Sequence, residues 1–244
     1  DSASVVRGNV IRKSPGFGIR SARSGGGAVI RNFVTDNGDG GLSSESNGQT
    51  AFINNVITNE SGSGIKVLEK GGGTFRANTV SGALGAGIEL CALSTALIEE
   101  CTVARCAKSG LQLHAKCAGV VKNCKLHLNE GGGVHLVGAF CEANTALREL
   151  LIENNTGRGV WASEAEASAQ LMRCVVQNHV VGIELKASGK WSISSCTIRN
   201  NARGVVVANR GSATAHDCTF ADNTEVDVDI HADGDVRISR CRFE

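Results

Sequence analysis

The sequence predicts an all-β fold: a right-handed parallel β-helix of about ten coils, each about 23 residues long. Three observations carry that expectation. A glycine-led aliphatic phrase recurs at near-constant spacing. A second column of Asn and then Cys keeps step with it. No stretch shows a helical period long enough for a crossover helix. Composition agrees: with 31 Gly among 244 residues, no Tyr and 4% aromatics, the chain suits many similar thin layers better than a core built on large rings.

The glycine phrase comes first. Gly18, Gly41, Gly64, Gly87, Gly110, Gly133, Gly159, Gly182 and Gly204 each precede an aliphatic residue, at steps of 23 except for one of 26 and one of 22. The residues that follow alternate apolar and variable, as in Ile65-Lys66-Val67 and Ile88-Glu89-Leu90. Alternation with period two marks a short half-buried strand in each repeat. Asp227 stands where a tenth Gly would fall. The glycine marks either a bend with positive φ or a place where a neighbouring backbone comes close. A dinucleotide fingerprint is excluded, because that motif needs one strand–loop–helix unit and here a strand follows every time.

The second column runs Asn9, Asn32, Asn55, Asn78, Cys101, Cys124, Leu150, Cys174, Cys196, Cys218 and Cys241, each at the start of another strand. Polar turns such as Asn59-Glu60-Ser61-Gly62 and Asn200-Asn201-Ala202-Arg203 separate the two registers, so each repeat reads strand, turn, strand, turn. Parallel strands without crossover helices imply a coil whose strands pair with those of the next turn. In such a coil the Asn amides stack and can bond along the axis. Cys fits the same tight interior corner as a small, buried, weakly bonding side chain. Six of the ten Cys lie in this column, and none shows the converging C-x-x-C spacing of a metal centre, so no metal and no cofactor is expected. Stacked thiols would risk cross-coil bridging in an oxidising space, which places the chain in the cytoplasm.

A net charge of +1 argues against nucleic acid and anionic membranes as partners. The whole of 1–244 reads as one repeat domain. Its first and last repeats look cut mid-coil, which suggests part of a longer chain or end-to-end stacking with a partner.

On the glycine-led strand the residue between the two inward side chains points out: Arg20, Ser43, Lys66, Glu89, Gln112, His135, Trp161, Glu184, Val206 and Asp229. The next outward column includes Cys91, His114, Val137, Ser163 and Lys186. Together they form one face, whose chemically varied middle gives the candidate ligand-binding set Glu89, Gln112, His114, His135, Trp161, Glu184 and Lys186. An exposed Trp among polar groups can cover the apolar C–H surface of a sugar while its neighbours orient hydroxyls. The coil between Gly133 and Gly159 is three residues longer, through Val137–Ala146, and could raise a lip beside Trp161.

The stretches Asn54–Val67 and Cys196–Val207 resemble pectin-lyase-like parallel β-helix repeats, and the likeness extends over the whole chain. It implies two branches. One comprises secreted lyases, hydrolases and epimerases acting on acidic sugars. The other is similar to the repeat region of intracellular F-box and SHC-binding-type proteins. The secreted branch leads one to expect clustered Asp on the outward stripe, and Asp-Pro-His-Asp-like or Gly-His-Gly-like signatures, which are missing here. Glu89 and Glu184 lie four coils apart, about 19 Å, too far for a hydrolytic carboxylate pair. The expectation is therefore a non-catalytic recognition or scaffold domain binding a protein segment or glycan-like ligand, with no catalytic residue. The alternatives are a carbohydrate-active enzyme and a purely structural rod.

Overall fold

The computed structural model describes residues 4–91, 93–114, 116–137, 146–162, 167–186, 188–231 and 233–244. They form a right-handed parallel β-helix. Its strands assemble into two sheets of 11 strands and one of 10, every pairing linking a strand to its equivalent in the next coil. Among the described residues there is no helix.

Each coil has three strands, where the sequence suggested two. One coil comprises Thr74–Arg76, Thr79–Ser81 and Ile88–Leu90. The strand missing from the expectation belongs to the set Ala51–Ile53, Thr74–Arg76, Leu97–Glu99 and their equivalents. In the coils from Ala51 to Lys122 it is three residues long with a single inward side chain and carries no alternation to detect, whereas Ala169–Met172, Lys190–Ser194 and Ser212–His216 bury two alternate side chains each, an alternation the sequence reading passed over.

The inward side chains stack into columns. Phe52, Phe75, Ile98 and Val121 line the first sheet, Ile57, Val80, Val103 and Leu126 the second, and Ile65, Ile88, Leu111 and Val134 the third. All are fully buried or nearly so. The core is thus a continuous apolar rod wrapped by backbone, and residues one coil apart, about 4.8 Å, are neighbours.

The recurrent glycines serve close approach. None of Gly18, Gly41, Gly64, Gly87, Gly110, Gly133, Gly159, Gly182 or Gly204 has positive φ. A Cβ on Gly64 would sit 2.3 Å from Val80 Cγ1 and 2.9 Å from the Gly87 carbonyl. The left-handed corners fall elsewhere, on the residue just before the Asn/Cys column: Arg31, Asn54, Ala77 and Glu100 have φ between 53° and 56°. At the next position the N–H is taken by a side chain of the following coil. The Asn32 N–H donates to Asn55 Oδ1 (3.0 Å) and the Asn55 N–H to Asn78 Oδ1 (2.9 Å). The Asn78 amide donates to the Phe52 carbonyl, and Cys101 Sγ to the equivalent Phe75 carbonyl. The thiol therefore inherits the donor role of the amide.

A second interior row escaped the sequence reading. It comprises Asn37 and Glu60, then, after Ala83 interrupts it, Cys106, Asn129, Asn155, His179, Asn201 and Asn223, with bonds such as Asn129 Nδ2 to Asn155 Oδ1 (2.9 Å) and Asn201 Nδ2 to Asn223 Oδ1 (3.1 Å). Its members sit in polar turns, where Asn is common on any account. Cys91, Cys101, Cys106, Cys124, Cys174, Cys196, Cys218 and Cys241 are free thiols, and among the described residues no helix is long and apolar enough to cross a membrane.

Candidate functional site

The third sheet carries the outward face. Its register runs Lys66–Glu89–Gln112–His135–Trp161–Glu184 rung to rung, with His114 beside Val137 in the next column. Short strands with their inward residues locked in the core hold these side chains at fixed positions. The extended segment expected to form a lip, and Ser163, lie outside the described residues.

The candidate residues divide into three groups. Around Glu89, the two carboxylate oxygens have separate partners. Oε2 accepts from Ser63 Oγ (2.7 Å) and faces Lys66 Nζ (3.3 Å). Oε1 lies 3.1 Å from His114 Nε2 and 3.8 Å from Cys91 Sγ. Burial pushes this carboxyl up, but hydrogen bonds from His114 and Ser63 and the charge of Lys66 outweigh it and hold the pKa at about 2. For Cys91, burial and the Glu89 charge push the thiol up to about 11. Glu89, Cys91 and His114 present ligand atoms within 4.8 Å of one another. Spacing arguments missed this set because its members meet across coils: Cys91 and His114 each follow a rung of the Leu90–Leu113 pairing.

At the far end, Glu184 departs from expectation. It is only 4% exposed, because Arg158 and Lys186 fold over it as ion-pair partners, Lys186 at 2.8 Å. It belongs to a charge cluster and offers little to a ligand.

Between them lies the central groove. His135 and Trp161 stack with centroids 3.5 Å apart and planes 6° from parallel. The Arg158 guanidinium, tied to Glu184 in the next coil, lies over the Trp161 ring 5.0 Å from its centroid. The indole N–H donates to the Gly131 carbonyl (3.3 Å). Trp161 is therefore half-buried, its ring covered by His135 and Arg158, where the sequence suggested an open flat face. The physical reason is the coil spacing, which stacks successive side chains closely enough for one ring to cover the next. The groove, about 320 Å³, is lined by Lys108, Ser109, Gln112, His135, Val137 and Trp161 among others. Burial, then the charges of His114 and Arg158, hold the His135 pKa down to about 4, so its imidazole is neutral at pH 7. Lys108 is exposed and makes no ion pair among the described residues. Among the described residues no carboxylate lines the groove. Lys108 and Arg158 were missed because they precede the alternating phrase instead of falling within it.

With this geometry in hand, comparison with known proteins gives the class. The sequence matches the family described as right handed beta helix region over residues 1–149 and 138–244, and the chain belongs to that family. A search of curated proteins returns no match, so the finer resemblance to F-box and SHC-binding-type repeats gains no support. Among solved structures, the chain is similar to the Agl-KA catalytic domain (12% identity, TM-score 0.63, 88% of this chain and 47% of that one). It is similar to a GH87 α-1,3-glucanase catalytic domain solved with tetrasaccharides (12%, 0.59, 96% and 63%). It is also similar to the periplasmic alginate epimerase in a mutant form (14%, 0.57, 89% and 61%). The chain thus spans between 47% and 63% of the length of these structures, and at such identity the likeness is one of fold. It nevertheless corrects the expectation of a non-catalytic recognition or scaffold domain. These three neighbours are catalytic domains or an epimerase, and the carbohydrate-active alternative agrees with them better. The groove gives the physical side of that correction, since the aromatic platform on which a purely binding site rested is already covered by His135 and Arg158.

Proposed function

We propose that this domain is carbohydrate-active and abstracts a proton next to the carboxylate of a uronic acid residue in a glycan laid along the third sheet. One observation carries the reading: among the described residues, a neutral imidazole shares the groove with an ammonium that makes no ion pair, and no carboxylate lines it. Hydrolysis needs two carboxyl groups about 5 to 9.5 Å apart across the scissile bond. Glu89 and Glu184, about 19 Å apart by coil spacing, are each neutralised by basic neighbours. Proton abstraction needs less: one base, and one cation opposite the acid group on which charge develops. His135 takes the proton on carbon 5. Lys108 pairs with the substrate carboxylate and stabilises the enolate-like charge. Trp161 and Gln112 orient the ring. If the bond from carbon 4 to its oxygen then breaks, with water protonating the leaving oxygen, the outcome is elimination. If a proton returns to the other face, the outcome is epimerisation.

The test is turnover of polymannuronate, polyguluronate and polygalacturonate, followed by the ultraviolet absorbance of the unsaturated product and by the proton spectrum of the polymer. His135→Gln is expected to lower kcat by about 10²–10⁴-fold, and Lys108→Ala to raise KM and lower kcat, since the ammonium binds the carboxylate and meets the developing charge, with circular dichroism unchanged. Cleavage of a neutral glucan with all polyuronates inert would overturn the reading, as would full activity in His135→Gln.

A further inference from the structure

We propose that Glu89, Cys91 and His114 form a binding site for a zinc-class divalent cation on the outward face. The site lies two to three coils from the Trp161 rung, and the proposal is independent of the reading of the central groove.

The donor set comes first. One thiolate, one imidazole and one carboxylate match the borderline-soft preference of zinc, whereas calcium and magnesium take oxygen ligands. Three protein ligands leave a fourth position open to water or to an oxygen of a bound molecule.

The geometry is close to that of a metal-loaded site. With bonds of about 2.0–2.1 Å to N and O and about 2.3 Å to S, tetrahedral angles at the cation require donor separations of about 3.4 Å for N to O and about 3.6 Å for S to O. The observed separations are 3.1 Å for His114 Nε2 to Glu89 Oε1 and 3.8 Å for Cys91 Sγ to the same oxygen. These two edges need shifts of only a few tenths of an ångström, and Cys91 Sγ and His114 lie within 4.8 Å of one another, a gap that side-chain rotation can close.

The supporting groups are already in place. Ser63 and Lys66 hold Glu89 Oε2 and so turn Oε1 toward Cys91 and His114. Such outer partners fix a ligand in the orientation that a metal requires. Gln112, with its amide nitrogen 3.3 Å from His114 Nε2, packs beside the imidazole. Among the described residues this is the one such cluster, and the columns explain why: Val137 pairs with His114 on one side and Leu68 follows the Val67–Leu90 rung on the other, and neither is a ligand. All three ligating side chains are half-buried, sheltered enough to favour ion binding over hydration yet open to entry from solvent. Binding forms a bond from the cation to Cys91 Sγ while the thiol proton leaves to solvent, so affinity rises with pH.

The experiment titrates the metal-free full chain with Co²⁺ as a spectroscopic stand-in, then displaces it with Zn²⁺. The expected result is one equivalent of cobalt giving d–d bands of tetrahedral intensity and a sulfur-to-cobalt charge-transfer band. Both should vanish on zinc addition and both should be lost in Cys91→Ser and His114→Ala. Zinc should also raise the melting temperature of the wild type in a concentration-dependent way and leave Cys91→Ser unmoved. A charge-transfer band that persists in Cys91→Ser would place the metal on another thiol and overturn the assignment. So would the absence of any cobalt signal in a wild-type chain with reduced thiols. Unaltered far-ultraviolet circular dichroism in both variants separates loss of ligand from loss of fold.

Discussion

Acid should destabilise this solenoid from within, through His179. The side chain is 6% exposed, in the interior row between Asn155 and Asn201. Asn155 spends its Oδ1 on the N–H and Nδ2 of Asn129. Its own Nδ2 therefore faces His179 Nε2 (3.3 Å), while His179 Nδ1 faces Asn201 Oδ1 (3.2 Å). Only a neutral ring with its proton on Nδ1 satisfies both neighbours. Burial lowers the pKa to about 4, against the smaller opposing effect of the Asn201 bond. The unfolded chain therefore binds the proton first as pH falls, and stability declines between the ordinary value of 6.5 and about 4. That gap, at about 1.4 kcal/mol per pH unit, amounts to about 3 kcal/mol. His179→Asn keeps an amide in the row and removes the titration. Urea unfolding of both proteins across this range should give a difference in unfolding free energy that shrinks in favour of the variant as pH falls. His135 contributes a similar trend to both proteins and cancels in that difference. A difference independent of pH would refute the argument.

Two further outcomes test the packing. Asn78→Ala removes the acceptor for the Asn55 N–H and side-chain amide and the donor to the Phe52 carbonyl. It should cost about 3 kcal/mol by urea unfolding, whereas Asn78→Cys, the residue found one coil later, should cost less. Gly64→Ala drives a Cβ to 2.3 Å from Val80 Cγ1 and should lower stability by about 1–3 kcal/mol. A neutral result in thermal unfolding would mean that the coils are more loosely stacked than described.

Much of the molecule was legible in the sequence because a solenoid converts spacing along the chain into adjacency. The column from Lys66 to Glu184 could be listed from the positions of the glycines alone. What stayed hidden was anything that spacing does not encode. The third strand of the coils from Ala51 to Lys122 has one buried side chain and so no period. The Asn129–Asn155–His179 row hides among turn residues that look alike whether buried or exposed. Burial of Glu184 depends on where the long side chains of Arg158 and Lys186 lie, and closure of the Trp161 face depends on how His135 and Arg158 pack against it. The Glu89–Cys91–His114 cluster required knowing which alternate positions of adjacent coils touch. Periodicity therefore located the face, whereas its chemistry depended on side-chain packing.

The account of function stands or falls on whether His135 handles a carbon-bound proton. The direct measurement is deuterium entry at carbon 5 of a polyuronate incubated with the protein in D₂O, followed by nuclear magnetic resonance. Incorporation by the wild type that disappears in His135→Gln, with the fold intact, is the result expected. Exchange that continues in the variant would contradict the account, as would no exchange by the wild type on any polyuronate.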